Sequence, residues 1–170
     1  LAYCGYDIHD LARNATFEET CFLLWHGRLP GRAELGDLQS QLAAARALPE
    51  SIIRLMKMLP PSDGMDALRT LTSALGHYDP EVLDNSPAAS YRKAVRLTAQ
   101  IASLVATWGR MQQGGGPIAP DPAMGHAANF LYMLFGTRPN ATAIRAMDIA
   151  LTLHADHELN ASTFAARVAA

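Results

Sequence analysis

The chain has 170 residues, enough for one domain with a real core, and its 49% hydrophobic and 18% charged residues describe a globular polypeptide rather than a disordered one. A formal net charge of −2 leaves no basic field for nucleic acid or for an anionic membrane surface, and neither is expected as a partner. Two cysteines are too few for a disulfide framework, and no apolar run approaches the ~20 residues of a membrane span, so reduced thiols in a cytoplasmic protein are expected.

Nearly every segment reads as helix. Leu1 to Ile8 is an irregular or extended start, and Asp7 is placed to cap a short turn over Ile8–Arg13. Thr16 and Glu19 stand as a capping box, which predicts a helix from Phe17 to about His26, stopped at Gly27 before Pro30. A third helix is predicted over Arg32–Ala47 with Leu35, Leu38 and Leu42 inward, and Pro49 opens a fourth over Glu50–Met58. After the Pro60–Gly64 loop, Met65–Leu75 is again amphipathic and stops at Gly76. Tyr78–Pro87 reads as a loop. Ala88–Gln112 is the longest predicted helix, with Val95, Ile101, Leu104 and Trp108 on its inner face. Gly114-Gly115-Gly116 precedes Pro117, Pro120 and Pro122 with no lysine behind it, so it predicts a flexible surface linker and not a phosphate cradle. A helix over Met124–Phe135 follows, and Asn140 or Thr142 caps the last long one. No alternating segment is long enough for a strand, and no repeat of 34 or 40 residues appears, so the fold expected is all-α. No signal peptide is visible; the chain opens with Leu1 and stops at Ala170 inside a helical pattern, and is expected to be part of something longer.

The last long helix ends on an unusual stretch. Ile144, Met147 and Leu151 form one apolar line and Ile149 and Leu153 a neighbouring one. Continued, the first line reaches His154 and Glu158, and the second His157 and Asn160. Burying such groups without partners costs roughly 2–7 kcal/mol, so a buried face that turns ionisable here points to binding. Two other readings stand beside it. The helix can unwind near Glu158, leaving Asn160, Ser162 and Thr163 to cap the next one. A metal could be held by His154 and His157, but His-x-x-His-Glu is neither zinc-protease pattern, and Ala161 stands where a Glu-x-x-His pair needs its histidine, so no metal site is assigned.

The run LHADHELNASTFAARV resembles the segment of bacterial citrate synthases that supplies the first oxaloacetate-binding histidine. Leu1-Ala-Tyr-Cys-Gly-Tyr-Asp-Ile resembles that family's L-x-Y-R-G-Y-D-I, with Cys4 in place of the usual arginine. Asp63-Gly-Met-Asp-Ala-Leu-Arg-Thr resembles H-P-M-D-x-L-R-T, with Asp63 and Gly64 replacing His-Pro. Stretches at Glu18–Leu29 and Ala128–Gly136 fit as well. The resemblance spans residues 1–170 and implies part of the large helical domain, with the small domain and the rest of the large domain outside this chain.

What the resemblance implies is a Claisen-type condensation of acetyl-CoA with oxaloacetate, followed by hydrolysis of citryl-CoA. A weakly acidic C–H needs its developing oxyanion stabilised while a base acts, which is why the family pairs an aspartate with a hydrogen-bonding histidine. By this likeness His157 binds oxaloacetate, Ser162 supports the enol-binding histidine, and His154 holds His157 or its loop, with Asn160 shaping the same turn. Asp156 and Glu158 receive no role. The base, the enol-binding histidine and the substrate arginines are expected beyond residue 170, so no catalytic residue is assigned within it and the piece alone is expected to be inactive. Coenzyme A enters as a thioester substrate and no cofactor is implied. The resemblance further implies a homodimer. Close alternatives are a 2-methylcitrate synthase, which uses propionyl-CoA, and a non-catalytic all-α dimerisation module. His9 and His26 at helix ends, His77 in a loop and His126 near a helix start are read as structural or surface groups, and the seven methionines as fillers of core gaps.

Overall fold

The computed structural model describes residues 1–156 and 161–169. Within them the chain is helical apart from a two-stranded start. β1 (Ala2–Tyr3) and β2 (Tyr6–Asp7) pair antiparallel with Tyr3 opposite Tyr6. Cys4 and Gly5 join them, both at positive φ (48° and 88°), the geometry a two-residue hairpin turn demands. The sequence reading took this start as irregular or extended, because strands of two residues leave no alternation to detect.

The helices follow as α1 (Ile8–Asn14), α2 (Phe17–His26), α3 (Arg32–Ala45), α4 (Glu50–Met58), α5 (Gly64–Leu75), α6 (Pro87–Gln112), α7 (His126–Phe135), α8 (Ala141–Leu153) and α9 (Ala161–Ala169). Local signals account for most of the boundaries. The Thr16 hydroxyl accepts from the Glu19 amide at 3.2 Å while Glu19 accepts from the Thr16 amide at 2.7 Å, and Gly27 ends α2 in the left-handed conformation. Ser86 caps α6 with Pro87 at its first position, and Asn140 caps α8 by accepting from the Ala143 amide at 2.8 Å.

α6 is the spine, 26 residues or about 39 Å long. Its first half packs with α2 and α3 through Phe17, Phe22, Leu38, Leu42, Val95 and Ala99. Its second half meets α4 and α5 through Ile52, Met56, Leu71, Leu75, Leu104 and Trp108. Tyr3, Ile8, Leu11 and Leu23 form a third cluster beneath the hairpin. Fully burying side chains of this size is worth about 1.5–3 kcal/mol each, so these clusters are what hold the layers together. α7 runs close along α6, so close that a Cβ on Gly109 would stand 2.9 Å from Leu134 Cδ1. Met56 and Met133 are core residues as expected, but Met58 and Met65 are 80% and 68% exposed.

Several boundaries differ from the expectation by one or two residues, α3 ending at Ala45 and not Ala47, and at the start of α7 distant side chains set the difference. α7 starts at His126 and not Met124: the Arg46 guanidinium takes the Asp121 and Met124 carbonyls at 3.1 and 2.7 Å, and Glu18 Oε1 accepts from the His126 amide at 2.9 Å. The linker after α6 is folded back, with Arg110 Nε donating to the Gly116 carbonyl at 2.8 Å. The loop before α6 is likewise fastened, by an ion-pair network of Asp79 and Glu81 with Arg92 and Arg96.

Candidate functional site

The polar stretch after α8 does not continue its helix. α8 ends at Leu153, and the His154 amide donates to the carbonyls of Ala150 and Leu151 at 3.2 and 3.3 Å, closing the last turn. His154 is therefore exposed rather than turned inward, and unwinding comes earlier than Glu158. Its Nδ1 lies 2.7 Å from the Ala150 carbonyl oxygen. A carbonyl can only accept, so Nδ1 carries the proton in this contact, which ties the ring to the end of its own helix.

The α8 stripe also differs from the sequence reading. Ile144, Met147, Ile149 and Leu151 are half-buried and Leu153 is exposed; the deeply buried line is Asp148 and Thr152. Asp148 earns burial by its partners. Its Oδ1 accepts from the Phe17 amide at 2.8 Å, capping the start of α2, and its Oδ2 pairs with Arg145 Nη1 at 2.9 Å. Arg145 in turn donates to the carbonyls of Ala15 and Ala12 at 2.9 and 2.5 Å, where α1 ends. One i, i+3 pair on α8 therefore fixes the α1–α2 corner.

Beyond Leu153 the chain turns through Ala155, which packs against two of the apolar clusters at once. Tyr3 reaches the same turn from the hairpin. Its hydroxyl stands 3.3 and 3.2 Å from the carbonyl oxygens of Leu153 and Asp156, and accepts from the Asp156 amide at 3.4 Å. His157 and Asn160 lie outside the described residues. Ser162, expected to act beside them, is exposed in the first turn of α9.

The turn stands at one end of an open apolar groove of about 670 Å³ between α2, α6, α7 and α8, lined among others by Phe17, Leu24, Ile101, Phe130, Leu151 and His154. Two buried groups on its wall are chemically quiet. Cys21 has its thiol pushed up to about 12, by burial first and by Glu18 second, and is no nucleophile at neutral pH. His126 is 4% exposed, stacked 5.1 Å from Phe17, and pushed down to about 4 by burial and then by Arg46. It is neutral, and among the described residues its Nδ1 meets no hydrogen-bond partner. Among the described residues no group of three or more His, Cys, Asp or Glu stands together to hold a metal ion. None of their helices is long and apolar enough to cross a membrane.

Tyr3, Glu18, Arg145 and Asp148 were not singled out from the sequence. Each acts across more than a hundred residues, and no short-range spacing announces such a partner.

Comparison with known proteins places this helical scaffold. A family model described as citrate synthase, C-terminal domain, matches residues 1–170. The chain is 50% identical over 170 residues to citrate synthase 2 of Bacillus subtilis (strain 168), covering 99% of this chain and 46% of that protein. It is 41% identical over 169 residues to a 2-methylcitrate synthase of Mycobacterium tuberculosis, covering 99% of this chain and 42% of that one. The crystal structure of citrate synthase from Pyrobaculum aerophilum superposes with a TM-score of 0.89 at 38% identity, over 98% of this chain and 44% of that one. The chain belongs to the citrate synthase family. It spans about half the length of the relatives it matches.

Proposed function

We propose that the full-length protein is a citrate synthase, condensing acetyl-CoA with oxaloacetate to give citrate and CoA. The observation that carries this is the 50% identity over 170 residues to a citrate synthase, at essentially full coverage of this chain. In this reading the site assembles at the end of α8. His157 donates a hydrogen bond that helps hold oxaloacetate as the enol carbon of the acetyl group attacks. His154 and Asn160 shape the turn that presents it, and Ser162 supports the enol-binding histidine. The base, that histidine and the arginines that hold the carboxylates come from residues beyond these 170. The thioester itself supplies the activation of the methyl group, so no cofactor and no metal enters the scheme.

The experiment is thiol release by the full-length protein with oxaloacetate and either acetyl-CoA or propionyl-CoA. Higher kcat/KM with acetyl-CoA is expected; no release with either donor would sink the proposal. The 41% identity to a 2-methylcitrate synthase favours a second reading with propionyl-CoA as donor, which a reversed preference would establish. His157→Ala is expected to weaken use of oxaloacetate about ten- to a hundredfold, the worth of a hydrogen bond to a charged ligand, with a smaller change toward the acyl-CoA. Unaltered KM and kcat for oxaloacetate would refute the assignment.

A homodimer in the cytoplasm completes the proposal. α7 and α8 support it, since Phe135 and Leu153 are exposed and Phe130, Ile144 and Ile149 only half-covered, more apolar surface than a water-facing helix needs. Sedimentation of the full-length protein is expected to give twice the monomer mass at micromolar concentration; a stable monomer there would contradict it.

A further inference from the structure

The hydroxyl of Tyr3 reaches from the hairpin to the turn that leads into His157. Its ring is 2% exposed, held among Ile8, Leu11 and Leu23, so the hydroxyl cannot swing away without unpacking that cluster. From this fixed point it meets Leu153 and Asp156 at 3.3 and 3.2 Å, and takes the Asp156 amide at 3.4 Å. Those contacts bracket the whole turn, from the last residue of α8 to the residue immediately before His157. Ala155, between them, is packed against the same cluster. The backbone as far as Asp156, the residue before His157, is thus held from outside α8, by a residue 153 positions upstream of Asp156.

We propose that Tyr3 is a positioning residue for the oxaloacetate-binding histidine, acting through the Leu153–Asp156 turn; this rests on the assignment of His157 to oxaloacetate. Tyr3 touches no substrate. It narrows the orientations open to the peptide entering His157, and a histidine that must hold oxaloacetate in one pose loses productive geometry when that peptide is loosened. The effect is expected on oxaloacetate, the ligand that His157 meets in the proposed function.

The test is Tyr3→Phe in the full-length protein, which keeps the ring and removes only the hydroxyl. Amide exchange across 153–158 is expected to quicken about three- to tenfold, the range of one net hydrogen bond, with the urea midpoint confirming a folded protein. KM for oxaloacetate should rise about three- to tenfold while KM for the acyl-CoA stays within about twofold. In a His157→Ala background the hydroxyl should no longer matter, so Tyr3→Phe adds nothing further to the oxaloacetate KM. Unchanged exchange, an equal rise in both KM values, or a full Tyr3→Phe effect on top of His157→Ala each overturns the inference. A wild-type protein that releases no thiol overturns the condensation reading and this inference with it, whereas an active wild type with a neutral Tyr3→Phe overturns this inference alone.

Discussion

His126 shows what a single buried imidazole does to the pH response. In the unfolded chain it titrates near 6.5, and in the folded protein burial and the Arg46 charge push it down to about 4. Between those values the unfolded state holds more protons than the folded one, so stability rises with pH through the window and is lost as pH falls from about 6.5 toward 4. Two and a half units correspond to at most about 3 kcal/mol. His126→Gln is therefore expected to flatten the pH dependence of the urea midpoint between pH 4 and 6.5, although it also disturbs the packing on Phe17. An equally steep dependence in the variant would show that other groups carry it. Glu18 presents the complementary case of a buried carboxylate with partners, since it accepts from the His126 amide at the start of α7 and interacts with the Arg46 charge.

At the scale of the element, helix starts divide into those capped by their own sequence and those capped from afar. Thr16, Asn140 and Ser86 are local caps, legible as short patterns, and the expected starts of α2 and α8 fall where they stand. Glu18 capping α7 and Asp148 reinforcing α2 depend on helix packing, so sequence spacing placed the start of α7 two residues early and gave Asp148 no role. The same limit shaped the view of the site. Composition and contiguous residues were enough for the all-α class and the family, but the inward turn of His154 was extrapolated from a stripe that the helix abandons at Leu153. Asp148→Ala removes a cap and strands the Arg145 guanidinium that closes α1. A loss of about 2–3 kcal/mol is expected, against about 1 kcal/mol for Asp148→Asn, which keeps an acceptor for the Phe17 amide. Chemical denaturation of the two variants reads the difference; equal losses would show that the charge on Arg145 matters more than the cap.

For the whole molecule the question is what these 170 residues do by themselves. Their helices close three apolar clusters but leave a groove of about 670 Å³ open beside the turn that precedes His157. Catalysis by positioning and charge stabilisation needs its groups together, and a fraction of a site does not give that fraction of the rate. Residues 1–170 alone are expected to be helical by circular dichroism, to bind oxaloacetate weakly by calorimetry and to form no citrate. Citrate formation by the pure piece would mean that the condensing groups lie within it.

The bond between Tyr3 and the turn at Asp156 also has a history in each molecule made. The hairpin leaves the ribosome before the carbonyls it must meet, which follow about 150 residues later, and at 5–20 residues per second that is a delay of roughly 8–30 s. Until then the phenol of Tyr3 packs with its neighbours from α1 and α2, and the hairpin waits in an unfinished state. A later turn thus locks an earlier one, so a newborn chain that stalls before α8 is left with this hairpin unfastened, and the hairpin is where a protease or a chaperone is expected to find it.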